Sequence, residues 1–193
     1  MIIKTKLYLD VDNTLTGSTQ SFCKSYNRIY KYHKDFVKAN WELVREWNLQ
    51  DQCTCLKSHS DVLEVFENPI FFKNLKLIND NTYEVVRELN EKYQIIIVSI
   101  GTPGNLSLKA LYLKETLPFI KDYILIYNDG CKMDKSSIVM NDTSDAIFID
   151  DVTTNIESSN APIKFIFGKE YPWSQTKNFK RLWNWTDVAK ELL

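Results

Sequence analysis

The chain has 193 residues, a formal net charge of −1, 44% hydrophobic residues and 13% aromatics. That length and apolar content describe one domain, or one domain with a sizeable insertion, built on a real core, and they exclude a disordered chain. The near-neutral charge argues against an extended nucleic-acid partner or a membrane-binding face, and no stretch reaches the roughly 18 apolar residues of a membrane span.

The N-terminus, "MIIKTKLYLD", runs straight into a strand-like segment and is no secretory signal. Lys6–Leu9 reads as a buried strand, and "KLYLDVDNTLTG" then sets Asp10 and Asp12 two positions apart. Two like charges about 4 Å apart cost roughly 4 kcal/mol at an effective dielectric near 20. A neighbouring cation is the simplest way to make that pair tolerable.

The next interval, about seventy residues long, has helical but no strand periodicity, in "STQSFCKSYNRIYKYH", "DFVKANWELVREWNL" and "SDVLEVFE". It is too long for a βα connection, so Gly17–Leu77 reads as a helical cap inserted after the first strand. Its aromatics form the cap's own core. A few of them, with Phe22, Trp41, Trp47, Phe71 and Phe72 as candidates, would instead stack on a planar substrate. The four cysteines, Cys23, Cys53, Cys55 and Cys131, read as reduced thiols of a cytoplasmic protein. The "CTC" pair with nearby His59 lacks the second ligand pair that structural zinc needs. His33 and His59 read as surface or cap residues.

After the insertion, strands alternate with helices. "NTYEVVRELNEKY" puts Val85, Val86, Leu89 and Tyr93 on one face, with Asn81 as cap and Glu84 at the capping-box position. "NLSLKALYLKETL" has Asn105 as cap and Leu106, Ala110, Leu113 and Leu117 inward. Gln94–Ser99, Tyr123–Tyr127, Ala146–Ile149 and Ile163–Phe167 are largely unbroken apolar runs, as in strands covered on both faces. The expected fold is α/β, a doubly wound (Rossmann-like) parallel sheet, with residues 1–16 and 78–193 as the core domain and 17–77 as the cap domain.

In open α/β sheets, ligands gather at the carboxyl ends of strands. Here those ends carry Asp10 and Asp12, then Ser99, then Asp150 and Asp151. Singly, each reads as a turn or helix-cap residue. Together they bring four carboxylates and a hydroxyl to one edge, an arrangement that Mg2+, an oxygen-seeking ion, would stabilise.

"DVDNT" after a hydrophobic strand, the serine after the second strand, a lysine, and the later "DD" resemble the four motifs of the haloacid dehalogenase (HAD) superfamily of phosphohydrolases. Within it the chain resembles the 5'(3')-deoxyribonucleotidases, through the helical cap, "NPIFFKNLKLI", "DKSSIV" ahead of "IFIDD", and "YPW…RLWNWTDVAKELL". The resemblance implies a Mg2+-dependent phosphomonoesterase acting on a small phosphate ester, a (deoxy)nucleoside monophosphate. Asp10 would be the nucleophile, giving an aspartyl-phosphate, and Asp12 the acid that protonates the leaving oxygen and then activates water. Asp10, the Asp12 carbonyl, Asp150 and Asp151 would surround the metal, either of the last two being its direct ligand. Ser99 and the backbone near Ile100 would bind the phosphoryl oxygens. Lys135, or alternatively Lys132, would be the third-motif lysine. Lys109 reads either as a second phosphate-binding lysine or as a solvated helix residue.

Two positions depart from the nucleotidase pattern: Asn13 stands where a glycine is usual, and Val152 where some members carry arginine. The alternatives are a HAD phosphatase for a non-nucleotide ester or a nucleic-acid 3'-phosphate, and, more distantly, a phospho-receiver signalling domain. The receiver's acidic pair precedes its phosphorylated aspartate, and no cap follows its first strand. A homodimer is left open.

Overall fold

A computed structural model of the chain describes residues 4–127, 135 and 145–193. The apolar runs form β1 (Lys6–Asp10), β2 (Gln94–Gly101), β3 (Asp122–Tyr127), β4 (Ile147–Asp150) and β5 (Ile163–Phe167), joined by a short β6 (Lys180–Leu182). They make one six-stranded sheet in the order β3-β2-β1-β4-β5-β6, with every pair parallel. β6, absent from the sequence reading, has only three residues, too few to show a periodicity.

β1 is central. It pairs Asp10 with Val98 of β2 on one side and Leu9 with Ile149 of β4 on the other. The chain leaves β1 toward one edge and later returns to its other side, so the strand order reverses at β1, where doubly wound sheets place their ligands.

Both sheet faces are covered because strand side chains alternate. Leu7 and Leu9 join one cluster with Val85, Val86 and Leu89 of α4 (Thr82–Lys92), Leu113 of α5 (Pro103–Thr116), and Trp185 and Val188 of the C-terminal helix (Trp185–Leu192). Tyr8 points the other way, into a cluster with Val98, Phe148, Ile166 and Ile156, the last from the helix Thr153–Ser158. The Trp185 ring is fully buried, and its Nε1–H donates to the Thr14 carbonyl at 2.9 Å, pinning the loop after β1. Trp185→Phe should cost about 2 kcal/mol by leaving that buried carbonyl unpaired. Urea unfolding checks it.

The helix starts differ from expectation. Asn81 precedes α4, but its amide donates to Thr186 Oγ1 (3.0 Å), and Glu84 pairs with Arg87 (2.7 Å) rather than closing a capping box. Thr102, not Asn105, caps α5, because Pro103 opens the helix two residues before Asn105. Asn105 is buried inside the helix and donates to the Phe66 carbonyl (3.0 Å).

Between β1 and α4 lie α1 (Ser18–Ile29), α2 (His59–Glu67) and α3 (Pro69–Asn74), gathered around their own cluster of Phe22, Tyr26, Val62, Val65 and Phe71. The helix expected over "DFVKANWELVREWNL" is instead irregular chain with one 3-10 turn, Trp41–Leu43. Asn27 on α1 grips Ala39 through both backbone groups (2.9 and 2.7 Å), and Asn40 accepts from Glu42 N, so polar side chains, one of them from another helix, replace helical bonds there. Among the described residues, no helix is long and apolar enough to cross a membrane.

Candidate active site

The sheet register delivers Asp10, the last residue of β1, beside Asp150, the last of β4, with Asp151 next in the chain. All three are buried, and each offers a carboxylate oxygen lying within 4.8 Å of the others. Lys135 Nζ is also buried and donates to Asp10 Oδ1 and, at 2.8 Å, to Asp150 Oδ2. Asp150 is held further by the Val152 amide (2.8 Å) and by Asn155 Nδ2, 3.1 Å from each of its oxygens. Asp151 Oδ2 accepts from Trp173 Nε1 (3.3 Å) and Asn13 Nδ2 (3.4 Å). Among the described residues, Asp10 Oδ2 is buried with no hydrogen-bond partner.

Burial pushes the Asp10 carboxyl up to about 7, with Asp150 and Asp12 adding to the rise and Lys135 opposing it. Burial, then Asp10 and Asp150, likewise hold Asp151 well above the carboxylate range. For Lys135, burial opposes the charge, but the two aspartates outweigh it and raise its pKa. Three buried carboxylates facing one ammonium, with one oxygen unpartnered, form a donor set that fits a hard divalent cation such as Mg2+.

A pH dependence follows. The unfolded Asp10 ionises near the ordinary aspartate value of 3.8 and the folded one at about 7, so between these values the folded state binds more protons. The contribution of Asp10 to stability is therefore full below the lower value and falls as pH rises toward 7. Metal-free wild type is expected to lose this contribution over that window, and Asp10→Asn to show a weaker dependence, with Asp151 left to titrate. Urea unfolding in chelator at stepped pH measures both.

Asp12 is set apart from the trio. Its Oδ2 accepts from Lys109 (2.5 Å) and its Oδ1 from Ser18 (2.6 Å). Burial alone would raise its pKa, but the Lys109 ammonium and the two hydrogen bonds hold it below the usual value. The sequence put four carboxylates in one cluster. The structure groups three and gives the fourth to a lysine, because the chain turns just after β1. Lys109 is 1% exposed and also donates to Ser99 Oγ (2.9 Å), so it is no solvated helix residue.

β2 runs two residues beyond Ser99, through Ile100 to Gly101, and the Ile100 side chain packs against the Tyr8 and Phe148 cluster. Lys132 and Cys131, and all of "DKSSIV" but Lys135, lie outside the described residues. Cys23, Cys53 and Cys55 are buried free thiols, and the acidic trio is the only metal-compatible group of these residue types among the described residues.

Asn13 has φ 57°, a left-handed conformation that asparagine tolerates better than most residues, which accounts for its standing in place of glycine. Its Oδ1 accepts from Thr19 N (3.0 Å) while its amide reaches Asp151.

The stacking candidates divide. Phe22 and Phe71 are completely buried in the helical layer's core, each against Phe66, and present no ring face to a ligand. Phe72 packs edge-on to Phe71, Trp41 lies on the 3-10 turn, and the exposed Trp47 meets Trp173 edge-on. Trp173, Asn155, Asn13 and Ser18 were missed as site residues. Asn155, one helical turn past "DD", and Trp173, in the "YPW" that carries the resemblance, are the two with a signal in the sequence.

No protein-family model matches the chain. Among curated proteins, the 5'(3')-deoxyribonucleotidases of Bacillus subtilis and of Bacillus phage SPbeta are each 30% identical over 125 residues, 63% of this chain. The match spans 65% of each relative's length, just under two thirds. Among solved structures, a predicted phosphatase from Clostridium acetobutylicum superposes with TM-score 0.68 at 14% identity, covering 98% of both chains. A haloacid dehalogenase-like family hydrolase from Streptococcus pneumoniae gives 0.61 at 13%, covering 98% of this chain and 99% of its own. A HAD-hydrolase from Bacillus subtilis, bound to magnesium, gives 0.59 at 12%, covering 99% of each. The chain has the haloacid dehalogenase fold, and in sequence it resembles the 5'(3')-deoxyribonucleotidases.

Proposed function

We propose that the chain is a Mg2+-dependent phosphomonoesterase that dephosphorylates (deoxy)nucleoside monophosphates by way of a phosphoryl group on Asp10. The observation that carries this reading is the buried Lys135 bridging Asp10 and Asp150, with the second Asp10 oxygen left unpartnered among the described residues. A free carboxylate oxygen beside a fixed positive charge suits attack on an anionic phosphorus centre. The likeness to the deoxyribonucleotidases favours a nucleotide as the ester.

Asp10, Asp150 and Asp151, with the Asp12 carbonyl, would hold Mg2+, which when bound neutralises the repulsion between nucleophile and phosphate. Asp10 Oδ2 forms the bond to phosphorus as the ester oxygen leaves. Lys135 offsets charge on the nucleophile's other oxygen. Ser99 Oγ, Lys109 Nζ and the backbone at Ile100 receive the phosphoryl oxygens. Asp12 handles the proton. Lys109 keeps it ionised in the free site. A phosphoryl anion that draws Lys109 away favours proton uptake, and the carboxylate restored afterwards suits activation of water.

Asp10, Ser99, Lys109, Lys135, Asp150 and Asp151 are all at most 4% exposed, so movement of the layer over the site would widen the way in for a substrate. We read residues 17–77 as that cap. It touches the core where Glu67 of α2 accepts from Thr102 and where Asn105 donates to the Phe66 carbonyl.

Incubation with a panel of nucleoside monophosphates, sugar phosphates and a 3'-phosphorylated oligonucleotide, with Mg2+ and with chelator, tests the assignment. Phosphate release from nucleotides that stops in chelator is expected. Preference for a non-nucleotide ester would replace the substrate, and release from none would remove the activity.

A further inference from the structure

We infer that Trp173 is a positioning residue, coupling the seating of segment 41–47 on the core to the orientation of the Asp151 carboxylate. The inference rests on the reading of Asp151 as part of the metal-holding trio.

Trp173 lies on a 3-10 turn, Pro172–Ser174, which follows β5. That turn is braced. The Tyr171 amide donates to Ser174 Oγ (2.8 Å), the Ser174 amide to the Tyr171 carbonyl (2.9 Å), and Arg181 Nη2 to the Ser174 carbonyl. The Tyr171 and Trp173 rings stack at 4.4 Å with 6° between planes, so the indole has little freedom to swing. From this platform Nε1–H reaches Asp151 Oδ2 at 3.3 Å. An indole nitrogen can only donate, so the contact fixes which Asp151 oxygen faces the ring and with it the turn of the carboxylate.

The opposite side of the platform belongs to the insertion. Trp47 sets its edge against Trp173 (5.3 Å, 84°). Lys169 Nζ donates to the Glu42 carbonyl (3.0 Å) and lies over the rings of both Trp41 (5.7 Å) and Tyr171 (5.2 Å). Lys169 thus covers the Tyr171 face that Trp173 leaves open, so the two rings serve as a contact surface and not as a base-stacking slot. One rigid unit, 169–174, therefore touches the insertion on one side and a metal-site carboxylate on the other. Partners that orient a metal ligand typically change metal affinity by 10–100-fold when removed.

The test uses the metal-free protein. The indole Nε1–H resonance of Trp173 is assigned by its loss in W173F, and it should shift in both D151N and W47A. Mg2+ titrated into W173F by calorimetry should bind about tenfold more weakly than to wild type. W47A should weaken binding in the same direction, by less. Trp47 is 58% exposed, so W47A keeps the test decisive if W173F fails to fold. Unchanged Mg2+ affinity in W173F, or in W47A should W173F not fold, or a Trp173 resonance unmoved in W47A, would overturn the coupling. A wild type that binds no Mg2+ would bring down the metal reading alone, and the resonance in D151N and W47A would still decide the contact.

Discussion

Asp10→Asn is expected to lower turnover by at least about ten-thousandfold while leaving the protein folded. The exchange keeps shape and volume but replaces a carboxylate with an amide that cannot attack phosphorus. Folding should tolerate it, because Asp10 ends a strand whose anchoring comes from Leu7 and Leu9, and because a burial-strained charge is removed. Lys135 keeps Asp150 as its counter-ion. Initial rates of phosphate release and circular dichroism check both halves. Turnover within tenfold of wild type in a folded Asp10→Asn protein would move the chemistry to another group.

Lys135→Met should damage stability and activity together. The substitution leaves Asp10 and Asp150 buried with no cation between them, and breaking a buried pair from one side costs about 3–5 kcal/mol. For a chain of this length that is a fall in Tm of about 6–20 °C. Saturating Mg2+ should restore part of the loss, since an ion bound only by the folded state stabilises it by mass action. Phosphate release should fall at least about a hundredfold, in line with removal of one preorganised positive group facing the transferring phosphoryl. Thermal unfolding with and without Mg2+ separates the two effects. A variant as stable as wild type in chelator would mean that the lysine is not what balances the pair.

Much of this architecture was legible in the sequence because the physics acts locally. Continuous apolar runs such as "QIIIVS" and "AIFI" signal strands covered on both faces, and Asp10, Ser99 and Asp150 mark where those runs stop. What failed was decided by distant partners. Asn105 looks like a cap until Pro103 starts the helix earlier and the Phe66 carbonyl takes its amide. The aromatic "DFVKANWELVREWNL" looks helical, yet Asn27, far away on α1, fixes Ala39 in irregular chain. Trp173 reaches Asp151 across a fold of the chain that no spacing rule announces, whereas Asn155 sits one helical turn past "DD" and bonds Asp150 locally. Lys109 was ambiguous because a lysine on a helix is solvated unless an anion awaits it inside, and the half-buried Asp12 does.

The central claim is that Asp10 carries the phosphoryl group during turnover. Wild-type protein acid-quenched while turning over a nucleoside monophosphate it hydrolyses, then digested and analysed by mass spectrometry, tests this directly. The expected result is a phosphoryl group on the peptide containing Asp10, absent from Asp10→Asn. Steady release of phosphate with that peptide unmodified, or with the label on Ser99 instead, would contradict it.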